Sequence, residues 1–340
     1  MSGRTLVSMA ALACLAAMGV PALAQQSEDD VGVPPAKQAG WTVPRTSWGD
    51  PDLRGTWPLD LGNTPMQRAP RFGTRKLMTE EEFQQAADAA AQLRGLADEE
   101  DQANKLGSGN WFERGRALRQ TSLIVEPADG RIHMNEEGKR RAAGMKSSWS
   151  EKEFDGLDDF NSLDHCITRG LPSSMIPFPY NNGVRIFQSP GHVVINLELV
   201  HETRIIPVDG TPPLPGELRP WLGSSRGHWD GDTLVVETRN FNGKVPMVIV
   251  GPTNQPIPTS TSMTMVERFT PVSPDQIYYE AWIDDPEVLA QPFKMGFPWR
   301  RDDSYQPFEY ACHEGNTLVR GYILSTSPRY AEYRRERGGE

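Results

Sequence analysis

The segment Val184-Arg185-Ile186-Phe187-Gln188-Ser189-Pro190-Gly191-His192-Val193-Val194-Ile195-Asn196-Leu197-Glu198-Leu199-Val200-His201-Glu202-Thr203-Arg204 reads as two β-strands joined at Ser189-Pro190-Gly191. Side chains alternate between faces along a strand. From residue 192 one face reads Val193, Ile195, Leu197, Leu199, His201. The other carries Asn196, Glu198, Glu202 and Arg204, the composition of a solvated face with ion pairs. On this reading His201 is the one ionisable group on an apolar face. Imidazole suits general acid–base chemistry, which makes His201 a candidate catalytic residue; a structural core histidine is the alternative.

The same texture extends along the chain. Short apolar runs at residues 55–57, 122–126, 131–134, 233–238, 263–269, 277–283, 308–312 and 318–324 read as further strands. Most of the 31 Gly and 29 Pro fall between them, as strand punctuation would. One helix interrupts the pattern near residues 80–96, opened by a capping box of Thr79 and Glu82; a shorter one is expected at 139–149. There is no strand–helix alternation and no repeat of propeller length. The expected fold is mainly β: an antiparallel barrel or a sandwich with one or two covering helices.

Export is legible at the N-terminus. Arg4 precedes an apolar run that ends in Ala22-Leu23-Ala24, the pattern of a secretory signal cleaved after Ala24. The run is short for a membrane span. Residues 1–24 are therefore read as signal peptide, 25–44 as a flexible leader, 45–326 as one β-rich domain and 327–340 as a polar tail. The expected location is periplasmic or secreted. Cys166 and Cys312 remain in the mature chain. An even pair in an oxidising compartment suggests a disulfide, with two buried free thiols as the alternative. The 340-residue chain carries a net charge of −10, which disfavours nucleic acid and anionic lipid as partners. Composition leaves the oligomeric state open.

Two resemblances add to this. Gly55-Thr56-Trp57 resembles the opening strand of lipocalin-like barrels, which implies a barrel floor closed by a Trp. More widely, Asp164-His165-Cys166-Ile167-Thr168-Arg169-Gly170, Pro179-Tyr180-Asn181-Asn182, Trp229-Asp230-Gly231-Asp232-Thr233-Leu234-Val235-Val236-Glu237-Thr238 and Tyr310-Ala311-Cys312-His313-Glu314-Gly315-Asn316 resemble segments of a large group of exported, mostly uncharacterised bacterial proteins. That resemblance spans roughly residues 45–325. It implies a single domain and supports pairing of Cys166 with Cys312, but implies no activity.

The remaining candidates follow from chemistry. His313 stands beside Cys312, where a disulfide would hold it rigidly, and Tyr180 offers a phenol at a strand entrance; both are candidate partners of His201. His165, next to Cys166, would be drawn toward His313 by the same bridge. Asn181, Asn182 and Arg169 are candidates for orienting a polar ligand group. Met265 and Trp282 stand for a set of Met and aromatic residues, with Met263, Phe269, Met295, Phe297 and Trp299, that would line an apolar pocket or simply form core. Gly223-Ser224-Ser225-Arg226-Gly227 spells a nucleophile elbow without the strand–turn–helix context an elbow needs. Dinucleotide fingerprints, phosphate loops and zinc spacings are absent from the sequence, so neither cofactor nor metal is expected. The expected function is cofactor-independent acid–base chemistry of lyase, hydratase or isomerase type on a small hydrophobic molecule, aromatic ones included. The alternative is a non-catalytic periplasmic binding protein for such a molecule.

Overall fold

The computed structural model describes residues 27–61, 64–103, 113, 115–146, 148, 153–247, 256–314 and 316–338. The signal-peptide reading of residues 1–24 lies outside them. The described residues form two antiparallel sheets and four α-helices, so the chain is mainly β.

In chain order the strands are β1 (Gly55–Thr56), β2 (Ile124–Glu126), β3 (Val184–Ser189), β4 (His192–Leu197), β5 (Thr203–Pro207), β6 (Ser224–Asp230), β7 (Thr233–Arg239), β8 (Thr264–Ser273), β9 (Gln276–Asp284) and β10 (Phe293–Arg300). The smaller sheet runs β1-β3-β4-β5 and the larger β2-β10-β9-β8-β7-β6. β5 lies against β6, where a Cβ on Gly227 would come within 2.8 Å of Val208 and 3.1 Å of Ile206. At the far end the amide of Asp302, just past β10, donates to the Thr56 carbonyl at 2.9 Å.

The inward faces form one core. Phe269, Tyr279, Phe297 and Trp299 pack there, Tyr279 stacked on Trp299 at 4.9 Å between ring centroids. Buried among these rings is an ion pair: Arg204 reaches Glu267 at 2.5 Å, and the Tyr279 hydroxyl donates to the same carboxylate at 3.0 Å. Met263, Met265, Phe269, Met295, Phe297 and Trp299 are all fully buried, so this set is packed core and not the wall of a ligand pocket.

The helices are α1 (Glu80–Gln102), α2 (Glu136–Ala143), α3 (Leu318–Thr326) and α4 (Ala331–Arg337). The capping box of α1 forms as read: the Glu82 amide donates to Thr79 Oγ1 at 3.2 Å, and the Thr79 amide to the Glu82 carboxylate at 2.8 Å. Arg75, hydrogen-bonded to Glu82, and that Thr79 amide hold the carboxyl down at about 2.

Several expectations change. Residues 192–204 are not one strand. Leu197 ends β4, and the chain reverses through Val200 and His201 into β5, both with left-handed φ, 58° and 43°. No Gly, Pro or Asn marks that turn, so alternation alone runs straight through it. Pairing Ile195 with Arg204 and Val193 with Ile206 then sends Arg204 and Ile206 inward, and His201 out to solvent. Of segment 122–126, Ile124–Glu126 forms a strand and pairs with β10, while residues 131–134 form none. Residues 318–324 are helical. Their apolar residues Leu318, Val319, Tyr322 and Ile323 recur at helix spacing, and Tyr322 packs edge-on against Phe154 at 5.3 Å. Residues 308–312 form no strand.

The leader is also not loose where described. Gln38 donates its amide to Val272 at 2.8 Å, and Lys294 Nζ bonds the Gly32 carbonyl at 2.7 Å. Val31 is buried with Leu77 and Val125. Gly32, at φ 91°, lies against Gly296; a Cβ on either would meet a neighbour within 3.2 Å, so the leader crosses the sheet where both chains lack one.

Candidate functional site

The β4–β5 turn builds one wall of a cleft. Its anchor is Glu198, read from sequence as solvated but only 6% exposed. Glu198 accepts from the Gly183 amide at 2.9 Å, Asn181 Nδ2 at 2.9 Å, the Tyr305 hydroxyl at 2.6 Å and the Phe308 amide at 2.7 Å. Four donors compensate the cost of burying this carboxylate. They also tie the turn to residues 301–314, an irregular strap that follows β10. The strap is fastened again at Cys312, bonded to Cys166 with a Cα–Cα distance of 5.6 Å. That disulfide fits an oxidising compartment.

Between turn and strap lies an open cleft of about 440 Å³. Leu197, Glu198 and His201 face Phe308, Tyr310 and His313 across it. The His201 and His313 rings stand 5.9 Å apart between centroids. His201 Nδ1 lies 3.1 Å from the Tyr310 carbonyl oxygen. A carbonyl only accepts, so Nδ1 carries the hydrogen; in the neutral ring Nε2 then keeps its lone pair. The left-handed backbone of Val200 and His201 is a strained conformation for non-glycine residues, held by the packing around it.

The structure thus brings His201 and His313 together, though His201 is exposed and not on an apolar strand face. Tyr180 sits one layer behind: its ring lies nearly parallel to Tyr310 at 6.3 Å and edge-on to Phe178 at 4.7 Å. Burial, together with its contact to Tyr310, pushes the Tyr180 phenol well above its ordinary range, so it stays protonated. Its role here is to support Tyr310.

The other candidates do not face the cleft. Asn182 is buried, its amide spent on the Phe178 backbone and the Glu113 carboxylate, and Asn181 serves Glu198. Arg169 is buried, donating to the carbonyls of Ile176 and Pro177 with its guanidinium 4.5 Å above the Phe178 ring; burial lowers its pKa to about 9. Trp282 lies under Lys294 at 4.3 Å on the outward side of β9. Met265 is 1% exposed in the core. His165 contacts the Leu157 carbonyl at 3.1 Å and the edge of Phe160. Ser225 lies within β6, bonded to Thr238 at 2.8 Å, so no elbow forms. Among the described residues no group of three or more His, Cys, Asp or Glu side chains is placed to hold a metal ion.

Glu202, beside this site, is buried against Ser174, whose hydroxyl donates at 2.7 Å. Burial raises its pKa, and the Ser174 and Thr168 hydroxyls with Arg204 and Arg169 offset this only in part. The folded state therefore favours the neutral acid. Its contribution is fully present below the ordinary glutamate pKa of about 4.3 and is lost as pH rises through the raised value. Glu202→Gln is expected to flatten that loss in thermal melts taken between about pH 4 and about pH 7. An unchanged slope would remove Glu202 from the titration.

No family model matches the chain, and no curated protein matches it. Among solved structures it is similar to a secretary abundant heat soluble (SAHS) protein from Ramazzottius varieornatus, at 12% identity and a TM-score of 0.23, over 46% of this chain and 100% of that one. A TM-score this low carries no weight for the fold, which rests on the strand pairings above.

Proposed function

We propose that this chain is an exported enzyme that moves protons on a small hydrophobic molecule, aromatic ones included, without a cofactor. The observation that supports it is the pair of imidazoles across one cleft, one with its Nδ1 committed to a carbonyl. In this reading His201 Nε2 takes a proton from carbon, and a ring N–H of His313 gives one to the developing oxyanion. When the oxygen's proton goes back to His313 and His201 delivers its own to a different carbon, the result is an isomerisation; when a β-hydroxyl instead departs with its bonding pair and takes the His201 proton as water, it is an elimination, and the reverse is a hydration. The Asp302–Thr56 contact and the β5–β6 contact favour a barrel-like wrap of the two sheets over an open sandwich. The signal-like N-terminus and the disulfide favour the periplasm.

Deuterium uptake from D2O into phenylacetone, followed by proton NMR, tests the chemistry without knowledge of the natural substrate. The folded chain is expected to exceed the same concentration of free imidazole. His201→Ala is expected to lower the rate by about 10²–10⁴-fold, the usual worth of a positioned acid or base. Equal rates in wild type and His201→Ala would refute the assignment. A second reading, a non-catalytic periplasmic binding protein, is favoured by Phe308, an apolar ring left 74% exposed at the cleft. It predicts retention of phenylacetone with no exchange.

A further inference from the structure

A second cavity, of about 490 Å³, lies between the leader and the outward side of β9 and β10. Its size falls in the range of small-molecule sites, about 300–1,000 Å³. Val33, Pro34 and Ala36 form the leader wall, and Leu118, Tyr278 and Pro298 the other. Val33 keeps more than half its surface exposed here although the adjoining Val31 is buried.

Two guanidinium groups stand at this apolar cavity, Arg119 and Arg300. Arg119 donates one amino group to the Met78 carbonyl at 3.0 Å and lies 3.9 Å from Glu80, but its buried Nε has no partner. Arg300, paired through its backbone with Gln276, is exposed, and its side chain makes no hydrogen bond or ion pair among the described residues. The one acid at the cavity, Asp30, is already engaged by the Ser27 amide at 2.9 Å and hydroxyl at 2.6 Å. Asp30 keeps its charge and Arg119 has Glu80 beside it, which leaves Arg300 as the guanidinium at the cavity with no carboxylate partner among the described residues.

We propose that this cavity binds a small amphiphilic carboxylate, its apolar body against the leader prolines and Leu118 and its carboxylate on Arg300. A guanidinium pairs with a carboxylate through two parallel hydrogen bonds, stronger than those of neutral groups. The chain that the sequence presents as a loose leader is thus one wall of a ligand site. The site is separate from the histidine cleft and does not depend on its chemistry.

Calorimetric titration of the folded, disulfide-bonded chain with 2-naphthoate tests this, with 2-naphthylmethanol as the uncharged ligand of the same shape. The naphthoate is expected to bind about tenfold or more tightly than the alcohol. Arg300→Ala is expected to erase that difference, and Ala36→Trp to abolish binding of both by filling the cavity. His201→Ala is expected to change neither. Absent binding to the wild type, equal affinities for the two ligands, or an Arg300→Ala chain that keeps the preference would each overturn the proposal. Should Ala36→Trp fail to fold, Arg300→Ala, at an exposed side chain, decides the matter alone.

Discussion

Reduction of the Cys166–Cys312 disulfide, or Cys312→Ser, is expected to lower folding stability by about 5 kcal/mol in the chain-entropy treatment of cross-links. The bridge spans 146 residues of sequence, so the unfolded chain regains a large loop when it opens. The loss falls first on the strap. Cys312 adjoins His313, and the Tyr310 carbonyl that orients His201 lies two residues before it. Exchange activity should therefore decline at reductant concentrations that leave the β-sheet signal intact. Urea unfolding with and without reductant checks the stability, and the deuterium assay checks the order of events. A change below about 1 kcal/mol would mean that Glu198, with its four donors, holds the strap unaided.

Glu267→Leu is expected to cost about 3–5 kcal/mol, because it leaves the Arg204 guanidinium charged and without its partner in the core. The two side chains are 2% and 0% exposed, so water cannot take over. Tyr279 loses its acceptor in the same change. Arg204→Met with Glu267→Leu is expected to be less destabilising than either replacement alone, since no unpaired charge remains. Chemical denaturation of the three variants measures both statements. Additive losses in the double variant would show that the pair is not energetically coupled.

The legible parts of the fold were those that local chemistry settles. Thr79 and Glu82 cap α1 because each side chain reaches the other's amide. Asp230-Gly231-Asp232 turns β6 into β7, with Gly231 at φ 62°. The Ser189–Gly191 turn sets the register of β3 on β4. What alternation could not show was the reversal at Val200 and His201, where ordinary residues take a conformation that sequence normally marks with Gly or Asn. Missing that turn inverted the faces. Alternation sets His201 on the apolar face and Arg204 on the solvated one, while the structure buries Arg204 and exposes His201. The strand β10 was hidden by Gly296 and Pro298, and β6 by its polar residues.

The site was half legible. His201, His313 and the Cys166–Cys312 bridge are visible as chemistry in the sequence. Their meeting depends on the strap, which pairs with no strand and so leaves no periodic signal. Glu198 was the residue least legible, because a glutamate next to Leu199 and near Arg204 reads as surface. Only the convergence of Asn181, Gly183, Tyr305 and Phe308 on its carboxylate reveals it as an anchor.

A long-range proton–nitrogen NMR spectrum of the histidine rings, taken before and after addition of phenylacetone, reads the proposed acid–base pair without requiring turnover. Neutral His201 carrying its hydrogen on Nδ1, with both His201 and His313 signals displaced by the ketone, is the predicted result. His201 protonated on Nε2, or rings that do not respond to the ketone while the chain is folded, would contradict it.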